Sequence, residues 1–271
     1  DEDTFDTWFS SGQWPYIVTD YLEKGELSRF YPSNVMETGY DILYPWVSRM
    51  IMLGLYVTGE VPFKDVYLHG LVNDEHNQKM SKSKGNVINP MQIIGEYGSD
   101  ALRLGIISNR SAAQSQAFST GNVIAGRNFC NKLWNIARYI QDQVGETVPT
   151  PRPEPHNLAD HWIISRLNKA MEDMERLLAD YRFAEAADTI YHVIWDDVAD
   201  WYIEANKADV HVSMLAWVLD TVLRITHPFA PFVTETIWQT LSWTNSVLAG
   251  EQWPEQREYN EISAGQFRRL K

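Results

Sequence analysis

Lys79-Met80-Ser81-Lys82-Ser83-Lys84-Gly85-Asn86 is the stretch of this chain best suited to chemistry: a polar run with two lysines three apart and hydroxyls between them. A loop of this kind can close over a triphosphate. The ammonium groups of Lys79 and Lys82 would neutralise charge developing on a leaving pyrophosphate. The Ser81 and Ser83 hydroxyls and the backbone N–H groups would add hydrogen bonds. It is not a Walker loop, because the G-x-x-x-x-G-K-[ST] spacing is absent.

The surroundings set the context such a loop needs. Residues 34–38 are a short strand candidate ending at Gly39, and residues 42–56 read as an apolar helix. Residues 66–69 form a second strand candidate, and residues 73–85 a polar loop. Asn89 and Pro90 supply an N-cap with proline at the first helical position. Gly98 and Ser99 are expected to stop that helix and cap the next. Strand, helix, strand, loop, helix in this order predicts a parallel α/β arrangement.

The remainder is helical by period. Ile163, Leu167, Met171, Met174, Leu178 and Tyr181 recur at three and four, and so do Ala187, Ile190, Ile194, Val198, Trp201 and Tyr202. Leu215, Leu219, Val222 and Ile225 make a third stripe, broken by His227-Pro228-Phe229-Ala230-Pro231-Phe232 before a further helix. Four helices on short connections predict a bundle whose stripes are simple core. Between the two regions, residues 145–156 hold Pro149, Pro151, Pro153 and Pro155 and read as an extended linker.

Composition narrows the function class. The chain of 271 residues has a formal net charge of −13, which by itself argues against a general nucleic-acid binder. The charge is uneven, however. From Lys79 to Arg138 there are eight cations (Lys79, Lys82, Lys84, Arg103, Arg110, Arg127, Lys132, Arg138) and two acids (Glu96, Asp100), a local balance of +6. That segment is either a solvated face or a polyanion contact on an otherwise repelling surface. A single cysteine, Cys130, excludes an intrachain disulfide and a thiolate zinc site, and no metal site is expected. No apolar run approaches the roughly 20 residues that cross a bilayer, and the acidic start is unlike a signal peptide, so a cytoplasmic setting is expected.

Lys79 to Ser83 spells the KMSKS motif of the class I aminoacyl-tRNA synthetases, which this chain resembles. Phe5-Asp6-Thr7-Trp8-Phe9-Ser10-Ser11, Thr38-Gly39-Tyr40-Asp41-Ile42-Leu43, Trp46-Val47-Ser48-Arg49-Met50 and His69-Gly70-Leu71-Val72 narrow the resemblance to the valyl enzymes. Isoleucyl enzymes more often carry an acid where Ser10 and Ser11 stand. The resemblance runs from about residue 1 to about residue 243. It implies an α/β then all-α chain: the second half of a Rossmann-like core (1–108), a helical stem-contact connection (109–148) and a helical-bundle anticodon-binding domain (157–271).

The resemblance also implies roles. Gly39 and Asp41 match the ATP ribose site, although Asp41 equally suits a helix N-cap. His69, Gly70 and Leu71 match the strand end where adenine docks, although a lone histidine is usually structural. Trp8, Ile42 and Trp46 match the walls of the amino-acid pocket, with core packing as the rival for each. Ile42 and Trp46, four apart, would share one helical face. Such a pocket excludes larger side chains but rejects isosteric threonine only about a hundredfold, a figure belonging to the valyl enzymes themselves and not read from this chain. Arg103, Arg110, Arg127, Lys132 and Arg138 match a stretch that touches tRNA.

ATP with Mg2+, valine and tRNA(Val) are the ligands implied, together with the N-terminal half of the enzyme, whose His-Ile-Gly-His segment does not occur here. A non-catalytic tRNA-binding module and an isoleucine-specific relative remain the alternatives. The fragment alone is expected to be inactive or nearly so.

Overall fold

A computed structural model describes residues 2–108 and 113–271. By packing, the chain forms two units: Asp1–Val87 with Ser111–Phe118, and Ile88–Arg110 with Ser119–Lys271.

The first unit opens with two short helices, α1 (Thr7–Gly12) and α2 (Trp14–Val18), the former capped by the Asp6 carboxylate, which accepts from the Trp8 N–H at 3.2 Å. Strand β1 (Ser33–Gly39) leads through helix α3 (Ser48–Thr58) to β2 (Phe63–His69), which lies parallel to β1 with Gly39 opposite His69. This is a βαβ unit of the expected order. A second parallel pair joins β3 (Val72–Asn73) to β4 (Gln116–Ala117).

One expectation fails here. Residues 42–47 do not begin a regular α-helix: a 3-10 turn (Tyr40–Ile42) runs into a π-helical turn (Leu43–Val47) before α3 starts at Ser48. The four-residue spacing of Ile42 and Trp46 therefore does not put them on one α-helical face. Pro45 lies inside this stretch and donates no N–H, which disfavours the regular ladder.

The first unit has a small core of Val47, Met50 and Phe63, fully or nearly fully buried. Much of its apolar surface faces outward: Tyr56 is 89%, Tyr44 83%, Phe5 80% and Met52 60% exposed. Parallel strands are normally covered on both faces, and a two-stranded pair cannot do this for itself.

The second unit is helical: α4 (Pro90–Tyr97), α5 (Ser99–Ile107), α6 (Thr120–Val144), α7 (Leu158–Ala179), α8 (Phe183–His192), α9 (Ile203–Asn206), α10 (Val212–Thr226), α11 (Pro231–Trp238) and α12 (Glu261–Leu270). Asn89 caps α4 through its side chain, as expected. Gly98, at φ 96°, both ends α4 and stands at the cap of α5 without a side-chain bond, so Ser99 is the first helical residue and not the cap. A ten-residue π-helical run (Val193–Tyr202) links α8 to α9 and buries Val193, Ile194, Val198 and Tyr202. The expected stripes do form the core, with Ile163, Leu167, Met171, Leu215, Leu219 and Ile225 all at 0% exposure. Tyr181 is the exception. It lies past the end of α7 in a left-handed conformation, φ 57°.

The proline stretch is not a spacer between the two packed units. It joins α6 to α7 within the second unit, with Pro149 and Pro153 buried. Thr150 N–H donates to Ser213 Oγ at 3.0 Å, and the Arg257 guanidinium donates to the Pro153 carbonyl at 2.5 Å. Helices α4 and α5 also pack with this unit, because α5 lies closely against α6. A Cβ on Gly126 would meet the Ala101 carbonyl at 2.8 Å. On α6, burial pushes the Cys130 thiol up to about 12, with the nearby Asp100 charge adding to the effect. Cys130 is thus expected to react with iodoacetamide at least about a hundredfold more slowly in the native chain than in urea, because only the thiolate is nucleophilic. Equal rates would mean an accessible, ordinary thiol.

The break at residues 227–232 has a specific anchor on α5. Asp100, 6% exposed, accepts from the Phe232 N–H at 3.3 Å and the Val233 N–H at 2.6 Å, capping α11 from outside its own sequence. Burial raises the Asp100 carboxyl above its usual range even though these two donors hold it ionised. Three positions on, the Arg103 guanidinium donates to the Phe229 and Pro228 carbonyls at 3.1 and 3.0 Å. Asp100→Leu is expected to cost about 1–3 kcal/mol for each N–H left unsatisfied, read as a lower urea midpoint. An unchanged midpoint would remove this anchor from the account.

Candidate active site

The loop after β3 is built on a buried carboxylate. Asp74, 8% exposed, accepts from the backbone N–H groups of His76 (3.0 Å) and Gln78 (2.7 Å) and from the Asn86 amide (2.7 Å). Asn86 in turn accepts from the Ser81 N–H at 3.0 Å through its side-chain oxygen. The two ends of the loop are thereby pinned together, leaving the lysine-serine segment as a supported arch. The Asn86 hydrogen bond, then that from Gln78, holds the Asp74 carboxyl below its usual range, so it stays ionised and the clamp closed at neutral pH. Asp74 has no part in the sequence reading. Its signal was the Asp-to-Asn spacing across the loop, which has no meaning until the loop is folded.

Within the arch, Ser81 caps a 3-10 turn (Lys82–Lys84) by accepting from the Lys84 N–H, and its hydroxyl lies 3.2 Å from that of Ser83. Gly85 closes the turn in the left-handed region, φ 67°. Lys79 Nζ lies 3.0 Å from Asp41 Oδ2, which brings the lysine loop to the turn that follows β1. Lys82 is exposed and has no ion-pair partner among the described residues.

The carboxyl ends of β1 and β2 bring the other expected residues together. A Cβ built on Gly39 would meet Asp41 Oδ1 at 2.9 Å, Leu71 Cδ2 at 3.4 Å and His69 Cε1 at 3.6 Å. Four residues spread over 33 positions of sequence therefore border one point at the sheet's edge. Asp41 does not cap a helix: Gly39 occupies the cap position of the following turn. His69 already has partners, with Nε2 3.1 Å from Glu37 Oε1 and Nδ1 2.9 Å from the Gly70 carbonyl. Gly70 is buried, and its lack of a side chain has a packing cause. A Cβ there would lie 1.7 Å from the Gln114 carbonyl oxygen.

Trp46 donates its indole N–H to the Ser11 carbonyl at 3.2 Å, tying the π-helical turn to α1, the helix that carries Trp8. Trp8, Ile42 and Trp46 are all half-buried. Sequence reading also overlooked Asp6 and Arg49, which pair at 2.9 Å and hold α1 against α3.

In the second unit the cations expected to meet tRNA divide by what they touch. Arg103 is committed to the two carbonyls before α11, which accounts for it structurally. Lys132 pairs with Asp200 at 3.2 Å and lies over the Trp195 ring at 4.9 Å. Arg127 lies over Tyr97 at 5.7 Å, and Arg138 is exposed. Arg110 is outside the described residues. Among those residues no group of three or more His, Cys, Asp or Glu could hold a metal, and no helix is long and apolar enough to cross a membrane.

The family described as "tRNA synthetases class I (I, L, M and V)" matches residues 1–119, and "Anticodon-binding domain of tRNA ligase" matches residues 160–270. The valine–tRNA ligase of Geobacillus kaustophilus is 43% identical over 286 residues, covering 100% of this chain and 32% of that protein. That of Streptomyces coelicolor is 42% identical, covering 97% of this chain and 32% of that protein. This chain thus spans about a third of the length of the curated relatives it matches. Among solved structures, the Agrobacterium radiobacter LeuRS–tRNA–LeuAMS ternary complex has the same fold, with TM-score 0.80 and 23% identity over 97% of this chain and 34% of that one. Mycobacterium tuberculosis methionyl-tRNA synthetase in complex with methionyl-adenylate gives TM-score 0.64 and 20% identity, covering 80% of this chain and 47% of that one. The chain belongs to the class I aminoacyl-tRNA synthetases, a catalytic-domain segment followed by an anticodon-binding domain, and along its whole length it is similar to valine–tRNA ligases.

Proposed function

We propose that this chain carries the second half of the catalytic core and the anticodon-binding domain of an enzyme that activates valine with ATP and transfers it to the 3′ end of tRNA(Val). The observation that carries the reading is the convergence of Gly39, Asp41, His69 and Leu71 on one point, with Lys79 joined to Asp41. In the reaction, a valine carboxylate oxygen attacks the α-phosphorus of ATP and the bond to pyrophosphate breaks. A hydroxyl at the 3′ end of the tRNA then attacks the valyl carbonyl carbon of the adenylate, the acyl–phosphate bond breaks and AMP leaves.

Each side chain has a share in this. Asp41 accepts from the ribose hydroxyls, and Gly39 leaves room for the sugar against the backbone. His69, Gly70 and Leu71 border the adenine, with His69 held in place by Glu37 and not itself free to pair. Lys79 exchanges Asp41 for a phosphate, and Lys82 meets the leaving pyrophosphate with Ser81 and Ser83 beside it. Mg2+ would enter with the triphosphate and neutralise part of its charge. Trp8, Ile42 and Trp46 wall the valine pocket. Arg127, Lys132, Arg138 and Arg110 are the tRNA contacts, and Arg103 leaves that group. The polypeptide that precedes this segment in the relatives covers the exposed apolar side of the first unit. The cytoplasm is the compartment in which such an enzyme meets its tRNA.

The test is valine-dependent ATP–pyrophosphate exchange by this chain joined to that preceding polypeptide. Exchange with valine is expected, with none from the chain alone. A preference for isoleucine would overturn the substrate. No exchange with any amino acid would leave only a tRNA-binding module.

A further inference from the structure

Polar groups hold the first helix of the first unit in place, because apolar burial cannot. Helix α1 has six residues, too few to keep its shape alone, and only Gly12 of them is buried. Trp46, by contrast, packs against the small core of Val47, Met50 and Phe63. Of the two tryptophans proposed to wall the valine pocket, Trp46 is therefore anchored by packing and Trp8 by whatever holds α1.

Arg49 on α3 runs along α1 from its end to its start. A Cβ on Gly12 would meet Arg49 Cβ at 3.4 Å and Leu53 Cδ1 at 2.8 Å, so the last residue of α1 rests on the base of that side chain. The guanidinium reaches Asp6 Oδ2 at 2.9 Å, just before the helix begins. The other Asp6 oxygen, Oδ1, accepts from the Trp8 N–H at 3.2 Å. One carboxylate thus joins the backbone of Trp8 to α3. The bonds from Trp8, then Arg49, keep the Asp6 carboxyl below its usual range, so it stays ionised at neutral pH.

At the other end of α1, the Ser11 carbonyl accepts from the Trp46 indole N–H at 3.2 Å. Trp8 lies between two fixed ends, about 6 Å from Gly12 at the helical rise of roughly 1.5 Å per residue. Releasing the Asp6 end leaves α1 free to pivot on Ser11 and Gly12. A pivot that shifts Trp8 by about 1 Å is enough to disturb a fitted pocket. The side chains of Asp6 and Arg49 are 59% and 38% exposed. Pairs so open to solvent add little to overall stability, so this one contributes geometry more than folding energy.

We propose that Asp6 and Arg49 are positioning residues that set the distance of Trp8 from Trp46 and so decide how large an aliphatic side chain the pocket admits. This rests on the valine-activating reading above and deepens it. Neither residue touches the substrate; both act through Trp8. A loosened pocket loses its fit to valine but gains room for one more methylene, a group worth about 10–200-fold in such a pocket. Isoleucine is therefore the amino acid that gains, whereas threonine, equal to valine in shape, falls in step with it.

The experiment measures ATP–pyrophosphate exchange with valine, isoleucine and threonine by this chain joined to the polypeptide that precedes it in the relatives. Asp6→Asn keeps an oxygen for the Trp8 N–H but turns an amide toward Arg49, removing the tie while retaining the cap. It is expected to lower the valine-to-isoleucine ratio of kcat/KM at least about fivefold, with the valine-to-threonine ratio within about twofold of the parent. Its unfolding midpoint is expected to match the parent's. Arg49→Ala is expected to shift the ratio in the same way, and Asp6→Asn combined with Arg49→Ala no further than either alone, because both remove one tie. Arg49→Lys is expected to retain the parent ratio, since a single bond to Asp6 does not need the guanidinium fork. Equal losses for all three amino acids, or an unchanged valine-to-isoleucine ratio in Asp6→Asn, would overturn the proposal, while exchange of valine by the parent upholds the underlying reading. A parent enzyme that exchanges no valine would overturn that reading, and this proposal with it.

Discussion

Lys82→Ala in the complete enzyme is expected to slow valine-dependent ATP–pyrophosphate exchange about 10²–10³-fold, while tRNA affinity stays within about twofold. The magnitude is that of removing one preorganised charged donor from a site where charge develops. The structure distinguishes the two lysines of the motif. Lys79 is already paired with Asp41 at 3.0 Å, so its charge is partly spent before ATP arrives. Lys82 stands in the 3-10 turn with no ion-pair partner among the described residues, on an arch pinned by Asp74 and Asn86. An interaction absent from the resting protein and made only as pyrophosphate leaves acts on the rate of the chemical step more than on ATP binding. The loss is accordingly expected in kcat, with the KM for ATP changed much less. Lys79→Ala should raise the KM for ATP more than it lowers kcat. Unchanged exchange in Lys82→Ala would remove its assigned role, and a loss confined to KM would make it a binding residue only.

Gly70→Ala is expected to destabilise the first unit by about 3 kcal/mol or more, enough to abolish its cooperative unfolding transition. The added methyl would lie 1.7 Å from the Gln114 carbonyl oxygen, 2.0 Å from its carbon and 2.6 Å from the Ser115 nitrogen. These are backbone atoms, and they are tied down. Ala113 donates its N–H to the Leu68 carbonyl at 2.9 Å, Gln116 donates to the Leu71 carbonyl at 3.1 Å, and Leu71 N–H donates to Ser115 Oγ at 3.0 Å. Relief therefore requires parting β3 from β4, next to the strand end that borders the proposed nucleotide site. Gly95 in α4 is the control: nothing stands within 4 Å of a Cβ there, and Gly95→Ala should be neutral or stabilising by up to about 1 kcal/mol. The readouts are circular dichroism melts and protease resistance of the first unit. Equal stability of Gly70→Ala and the parent would mean that the segment around Gln114 does not pack there.

Local rules made the lysine loop legible, because a polar, hydroxyl-rich run between a strand and an Asn-Pro cap has few other readings. They made the helices of the second unit legible as well: a stripe repeating at three and four can bury itself in only one way. The same rules misread residues 42–47, where Pro45 and a π-helical turn replace the expected α-helix and change which side chains face together. They also misread the proline stretch as a spacer. Extended chain needs partners for its backbone groups, and Ser213 and Arg257, remote in sequence, supply them.

The charge reading shows a similar division. The +6 segment was visible as a count, but a count does not say which cations have internal partners. Arg103 proves to be bound to two carbonyls 125 and 126 residues away. Asp100, counted only as a negative charge, caps a helix 132 residues further on.

Amino-acid order alone determined most of the element types outside residues 42–47, the polar lysine-serine loop and the family, because each depends on neighbours within a few positions and on side-chain chemistry. Only the tertiary structure decided which distant groups share a point: Gly39, Asp41, His69 and Leu71 at one sheet edge, Asp74 beneath the arch, Gln114 against Gly70. Those meetings depend on how strands register and helices cross, and spacing along the chain does not encode that in any locally readable form.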